Sequence, residues 1–175
     1  MEIITYVRKG AITHRDNMGN EGRTEAGDVQ VMSAGTGVVH SEYNLEDQPT
    51  EIFQIWIIPD RSGHAPRWDA RKFPKADRSG VLVPLASGEA RFKEEALPIN
   101  QDATLYAGTL LVGQTVTHEL KPGRKAYLVP ATGNLTVNGV EVRSRDGLAI
   151  EQPGRIEIGV LDDAEVILVD VPELN

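Results

Sequence analysis

His40 and Glu42 stand one residue apart in the chain. On a β-strand, residues i and i+2 project from the same face. An imidazole and a carboxylate would therefore point together, with Ser41 turned away. Inside a barrel such a pair offers nitrogen and oxygen donors suited to a divalent iron, nickel, copper, manganese or zinc ion. The chain has no cysteine, so thiolate sites and disulfides are excluded and only a nitrogen–oxygen site is available. Two donors do not hold a metal tightly. On an open strand the same pair would be a loose surface contact worth little.

The pair closes a glycine-punctuated segment, residues 27–44, with Gly27, Gly35 and Gly37 ahead of it. Short runs rich in Val, Ile, Thr and Tyr recur along the whole chain, at 3–7, 29–32, 52–58, 81–85, 127–129, 147–150 and 166–171. Turn signals separate them, among them Asn138-Gly139, Asp146-Gly147 and Pro153-Gly154. Strands at this spacing predict a sandwich or barrel and no βαβ units. The clearest hairpin is Leu135-Thr136-Val137-Asn138-Gly139-Val140-Glu141-Val142, where Asn-Gly supplies two positive-φ positions between alternating flanks. No long amphipathic helix is evident. Residues 63–80, with Pro66, Pro74 and five basic side chains, read as a solvated connector.

The two halves share a weak repeat of strand, glycine, strand, hairpin, Gly/Asp turn and strand. It runs from Tyr6 through Gly10 to Gly27-Asp28, and from Leu128 through Gly133 to Asp146-Gly147. Two stacked copies of one small β-barrel would produce it. The second copy continues Ile150-Glu151-Gln152-Pro153, without a His-x-Glu, so the second barrel is expected to bind no metal.

The chain has 175 residues, 40% hydrophobic but only 5% aromatic, enough for a core built mainly of Val, Ile, Leu and Ala. Its net charge of −8 argues against nucleic acid and anionic membrane surfaces as partners. The opening Met1-Glu2-Ile3-Ile4-Thr5 has no basic start and no long apolar stretch. No apolar run approaches the ~20 residues needed to span a bilayer. A cytoplasmic protein is expected.

Several of these stretches together resemble the pirin family. They are Glu2-Ile3-Ile4-Thr5-Tyr6-Val7, His14-x-Asp16-x2-Gly19, Met32-Ser33-Ala34-Gly35-Thr36-Gly37, His40-Ser41-Glu42-Tyr43-Asn44 and Gln54-Ile55-Trp56-Ile57. The central stretch also looks like the second cupin motif, with Ser33 where proline is usual and His40 and Asn44 at the expected offset. The resemblance implies an all-β bicupin, two tandem double-stranded β-helix (jelly-roll) barrels. Their expected extents are residues 1–78 and 79–175, the first barrel lacking its N-terminal strands.

In that family one divalent metal sits in the first barrel, held by three His and one Glu. His40 and Glu42 match two of those ligands, and the other two, a His-x-His pair, are expected just before the residues matching Met1-Glu2. The cofactor implied is one divalent transition metal where that set is complete, and none where it is not. Some bacterial members are quercetin 2,3-dioxygenases, and nuclear members are described as transcriptional co-regulators. The resemblance thus implies a flavonol dioxygenase in which Glu42 takes the substrate hydroxyl proton, or alternatively a non-catalytic module with a protein partner. Exposed sheet edges would favour pairing with a second copy. Glu2 matches a glutamate of the first cupin motif and, with His14, would line the substrate pocket. Ile4, Val31, Phe53 and Ile55 would give it an apolar wall or serve as ordinary core. His64 reads as a solvated turn residue and His118 as a relic in the second copy.

Overall fold

A computed structural model of the chain describes residues 1–173. The expected all-β architecture is present. Among the described residues seventeen strands account for the regular structure, beside two short 3₁₀ turns at Lys75–Arg78 and Ala90–Phe92. The strands are β1 (Glu2–Lys9), β2 (Ala11–Asp16), β3 (Glu21–Glu25), β4 (Val29–Ser33), β5 (His40–Tyr43), β6 (Glu51–Ile57), β7 (Arg67–Arg71), β8 (Val83–Ser87) and β9 (Leu97–Pro98). They continue as β10 (Thr104–Leu110), β11 (Thr115–Leu120), β12 (Arg124–Thr132), β13 (Leu135–Val137), β14 (Val140–Val142), β15 (Leu148–Ile150), β16 (Gly154–Val160) and β17 (Ala164–Pro172). Among the described residues no helix is long and apolar enough to cross a membrane.

The backbone divides into two compact units. The first comprises Met1–Pro74 and Ala86–Gln101, and the second Lys75–Leu85 and the chain from Asp102 onward. In the first unit one sheet runs β6-β1-β4-β7 and a second runs β3-β2-β5. Alternation along β1 sends Ile4 and Tyr6, both fully buried, to one face of the larger sheet, and Ile3, Thr5 and Val7 to the other. Each fully buried Val, Ile or Leu contributes about 1.5–3 kcal/mol. The core thus holds the sheet rigidly enough to aim the few polar groups it carries.

In the second unit β15-β12-β17-β10 form one sheet and β11-β16-β13-β14 another. The hairpin expected at Asn138-Gly139 is β13–β14, with Thr136 opposite Glu141 and φ of 48° and 82° at the two turn residues. Lys75 and Arg78 reach Glu165 at 2.8 and 3.4 Å, tying the first 3₁₀ turn to β17.

One expectation is corrected. Residues 63–80 are not a plain connector, because Arg67–Arg71 form β7 and pair with β4 from Val29↔Arg71 to Ser33↔Arg67. The sequence Arg-Trp-Asp-Ala-Arg does alternate, with Trp68 and Ala70 between charged residues, but the run is only five residues long and lies between Pro66 and Pro74. Its place in the sheet comes from backbone pairing to the buried strand β4.

Candidate functional site

Strand β5 lies against β2 with His14 opposite Glu42 and Asp16 opposite His40. Directly opposed residues share a face, so these four side chains project together from the smaller sheet. Across from them, the larger sheet presents a polar row. Thr5 is in register with Gln30 on one side and Gln54 on the other, one residue from each of β1, β4 and β6.

Glu42 is received by that row. Gln54 donates Nε2–H to its Oε2 at 2.8 Å, Thr5 donates its hydroxyl to Oε1 at 3.4 Å, and Gln30 Nε2 donates to the same Oε1. The two amides are themselves oriented. Thr24 Oγ1 donates to Gln30 Oε1 at 3.2 Å, and the indole N–H of Trp56 donates to Gln54 Oε1 at 3.0 Å. An indole N–H can only donate, so Gln54 must turn its NH₂ towards the carboxylate. Thr5 and Gln30 are 1% and 2% exposed, buried polar groups each flanked by apolar residues on its strand. Such groups persist only when satisfied, and here Glu42 satisfies them.

Beside the carboxylate is a layer of rings. His14 is fully buried and stacks on Trp68 at 4.9 Å and 12°, and on His40 at 5.7 Å and 19°. Its Nε2 lies 3.1 Å from Asp16 Oδ2. Burial alone would raise Asp16, but hydrogen bonds from Asn20 and His14 and from the Asn20 and Met18 backbone outweigh it and hold the carboxyl at about 2. Asp16 is therefore an acceptor, and His14 Nε2 carries the proton that it donates. His14 Nδ1 is buried and has no hydrogen-bond partner among the described residues.

The structure brings His14, His40 and Glu42 together. The other pocket candidates lie elsewhere. Glu2, Ile4, Phe53 and Ile55 have the opposite parity to Thr5 and Gln54 and project from the far face of the larger sheet. Glu2 is fully buried there and bridges strands, accepting Ser33 Oγ at 2.6 Å and the Asn100 backbone and side-chain N–H at 3.1 and 3.2 Å. Val31 is fully buried on that face too. His64 is not simply solvated but meets Asp60 at 2.6 Å. His118 is no unpartnered relic, since it meets Asp170 at 2.8 Å, and Arg124 Nε meets the same carboxylate at 2.5 Å. Burial works to raise Asp170, yet these two partners hold it below the usual carboxylate range.

Thr5, Gln30, Gln54, Trp56 and Trp68 were not singled out by type or spacing. One signal would have found three of them. Each is a polar residue inside a strand with an apolar neighbour on either side: Ile4-Thr5-Tyr6, Val29-Gln30-Val31 and Phe53-Gln54-Ile55.

Among the described residues no group of three or more His, Cys, Asp and Glu is placed to hold an ion. His40 and Glu42 share a face, but His14 is turned to Asp16, and both Glu42 oxygens accept N–H or O–H donors. The donors present thus do not fit a metal by themselves.

Comparison with known proteins agrees with this architecture. Residues 1–57 match the family model described as Pirin, and residues 85–171 match one described as quercetinase C-terminal cupin domain. A Pseudomonas aeruginosa protein, provisionally named for quercetin 2,3-dioxygenase activity, is 61% identical over 171 residues, spanning 98% of this chain and 73% of its own. Quercetin 2,3-dioxygenase of Escherichia coli K12 is 39% identical over 173 residues, with 98% and 73% covered. The crystal structure of the E. coli bacterial pirin YhhW in complex with nickel(II) superposes with a TM-score of 0.90 at 36% identity, over 99% of this chain and 73% of that one. With relatives this similar over nearly its whole length and a backbone that follows theirs, the chain belongs to the pirin family and has its cupin fold.

Proposed function

We propose that the first unit is the N-terminal cupin and binds a flavonol-type molecule, with Glu42 accepting the proton of the ligand's 3-hydroxyl. The reaction would be that named for the E. coli relative, quercetin 2,3-dioxygenation: dioxygen opens the flavonol ring with release of carbon monoxide. The observation that carries this reading is Glu42 itself, a carboxylate aimed at the polar row and fixed by Thr5, Gln30 and Gln54. A proton acceptor must sit within hydrogen-bond reach of its proton in a fixed pose, and two oriented amides provide that fixity. Deprotonating the 3-hydroxyl makes the flavonol ring electron-rich and open to oxidation.

A divalent metal is the cofactor suggested by the nickel(II) complex of the E. coli pirin YhhW; His40 and Glu42 would be two of its donors. The second unit, the C-terminal cupin, carries no such pair. There His118 and Arg124 both meet Asp170, and Arg124 also reaches Asp102 at 2.9 Å.

The test is aerobic incubation of the chain with quercetin and one equivalent of nickel(II), following loss of the flavonol absorption band and release of carbon monoxide. Turnover that is abolished by Glu42→Gln is expected. If the wild-type chain releases no carbon monoxide, the catalytic reading fails and a non-catalytic binding role replaces it.

A further inference from the structure

Trp56 is 63% exposed, one of only two tryptophans in the chain. A side chain of this size normally buries its rings, and the other face of its strand carries the half-buried Phe53 and Ile55 and the buried Ile57. Trp56 is turned instead to the face that carries Thr5 and Gln54, since it is in register with Ile3 and two residues along β6 from Gln54. That places it about 7 Å from Gln54 along the strand, one ring's width from the carboxylate's partner. Its orientation is fixed as well, because its N–H is spent on Gln54 Oε1 at 3.0 Å and the same amide donates to Glu42 at 2.8 Å. The result is an exposed aromatic plane, held by a hydrogen bond, beside a carboxylate dressed with donors.

We propose that Trp56 is the specificity-determining residue of this site, a stacking platform that selects ligands whose rings are coplanar. It rests on the functional reading given above. Glu42 recognises the hydroxyl, which saturated and unsaturated flavonoids share. Trp56 recognises flatness, which they do not. Aromatic pairs favour offset-stacked or edge-to-face geometry, and the gain depends on ring overlap. A flavonol, conjugated through its central ring, presents one continuous plane to the indole. A dihydroflavonol keeps a hydroxyl at C3, now on a saturated carbon, and the 4-carbonyl, but its saturated C2–C3 bond tilts the side ring out of that plane, so the effect of Trp56 is read from how each variant changes the two affinities. Trp56 also acts as a positioning residue through Gln54, so replacing it by phenylalanine separates the two roles: the ring stays and the N–H goes.

The experiment is calorimetric titration of the wild-type chain, Trp56→Ala and Trp56→Phe with quercetin and with dihydroquercetin under anaerobic conditions. For Trp56→Ala, quercetin affinity falls about tenfold, dihydroquercetin affinity changes less than threefold, and the selectivity ratio collapses. Trp56→Phe keeps most of that ratio. Equal losses for both ligands would make Trp56 merely structural, and unchanged quercetin affinity in Trp56→Ala would remove it from the site. Either result overturns the proposal while leaving Glu42 in place. A wild-type chain that binds neither ligand overturns the functional reading, and this inference with it.

Discussion

Gly22 lies opposite His14 in the β2–β3 pair, beneath the ring of Trp68. A Cβ added there would come within 2.2 Å of Trp68 Cη2 and 3.0 Å of its Cζ2. Trp68 has little freedom to move away, since it stacks on His14 at 4.9 Å. Two terms decide the effect of Gly22→Ala. Alanine restricts the unfolded chain and, at a position without left-handed φ, would add roughly 0.4–1 kcal/mol of stability. Overpacking a filled interior costs about 1–3 kcal/mol. The second term wins, for a net loss of about 0.5–2 kcal/mol. At roughly 2–4 °C per kcal/mol for a chain of this size, Tm falls by about 1–8 °C. Thermal melts followed by far-ultraviolet circular dichroism measure that fall. Emission from Trp68 in a Trp56→Phe background should shift with it, because the displaced indole leaves its stack. A variant as stable as the parent, with Trp68 emission unchanged, would refute the packing described for this layer.

Other consequences are open to measurement. Arg124→Ala leaves Asp170, 4% exposed, without its 2.5 Å guanidinium partner. Breaking a buried pair costs about 3–5 kcal/mol, so the melt should shift by roughly 6–20 °C. The Asp170 carboxyl is held below its ordinary value of 3.8, so its contribution is complete above about pH 4 and is lost as pH falls through the lower folded value. The stability gap between wild type and Asp170→Asn, read from denaturant midpoints, should therefore shrink from pH 5 down to pH 2. Gly139→Ala forces a side chain into φ of 82° and should cost about 1–2 kcal/mol, leaving quercetin affinity unaltered.

How much of this was legible in the sequence depended on range. Local signals were read correctly. Asn138-Gly139 specified its hairpin because two adjacent residues supply both positive φ values. Parity placed His40 and Glu42 on one face because two residues on a strand suffice to fix it. The partners of Glu42 were not legible, because Gln30, Gln54 and Thr5 lie 12, 12 and 37 residues away and meet it only through sheet packing. Ile4, Val31, Phe53 and Ile55, expected as an apolar wall, lie on the opposite face, where their apolar character sends them. A one-residue step along a strand exchanges the faces, and Thr5 and Gln54 are one step away. Strand β7 was missed, and Trp68 with it, because its alternation of Trp68 and Ala70 with three charged residues is only five residues long and sits between Pro66 and Pro74 in a basic stretch.

Everything proposed for this site depends on Glu42 meeting the ligand, and the most direct test is the quercetin dissociation constant of the wild-type chain and of Glu42→Gln, by titration calorimetry without oxygen. Glutamine places an NH₂ where an oxygen accepted from Gln30 or Gln54, and it cannot take the hydroxyl proton. Affinity at least tenfold weaker in the variant is predicted, since a hydrogen bond to a charged group contributes about 1.5–3 kcal/mol. Equal affinity in the two proteins would contradict the account and place flavonol binding, if it occurs, away from Glu42.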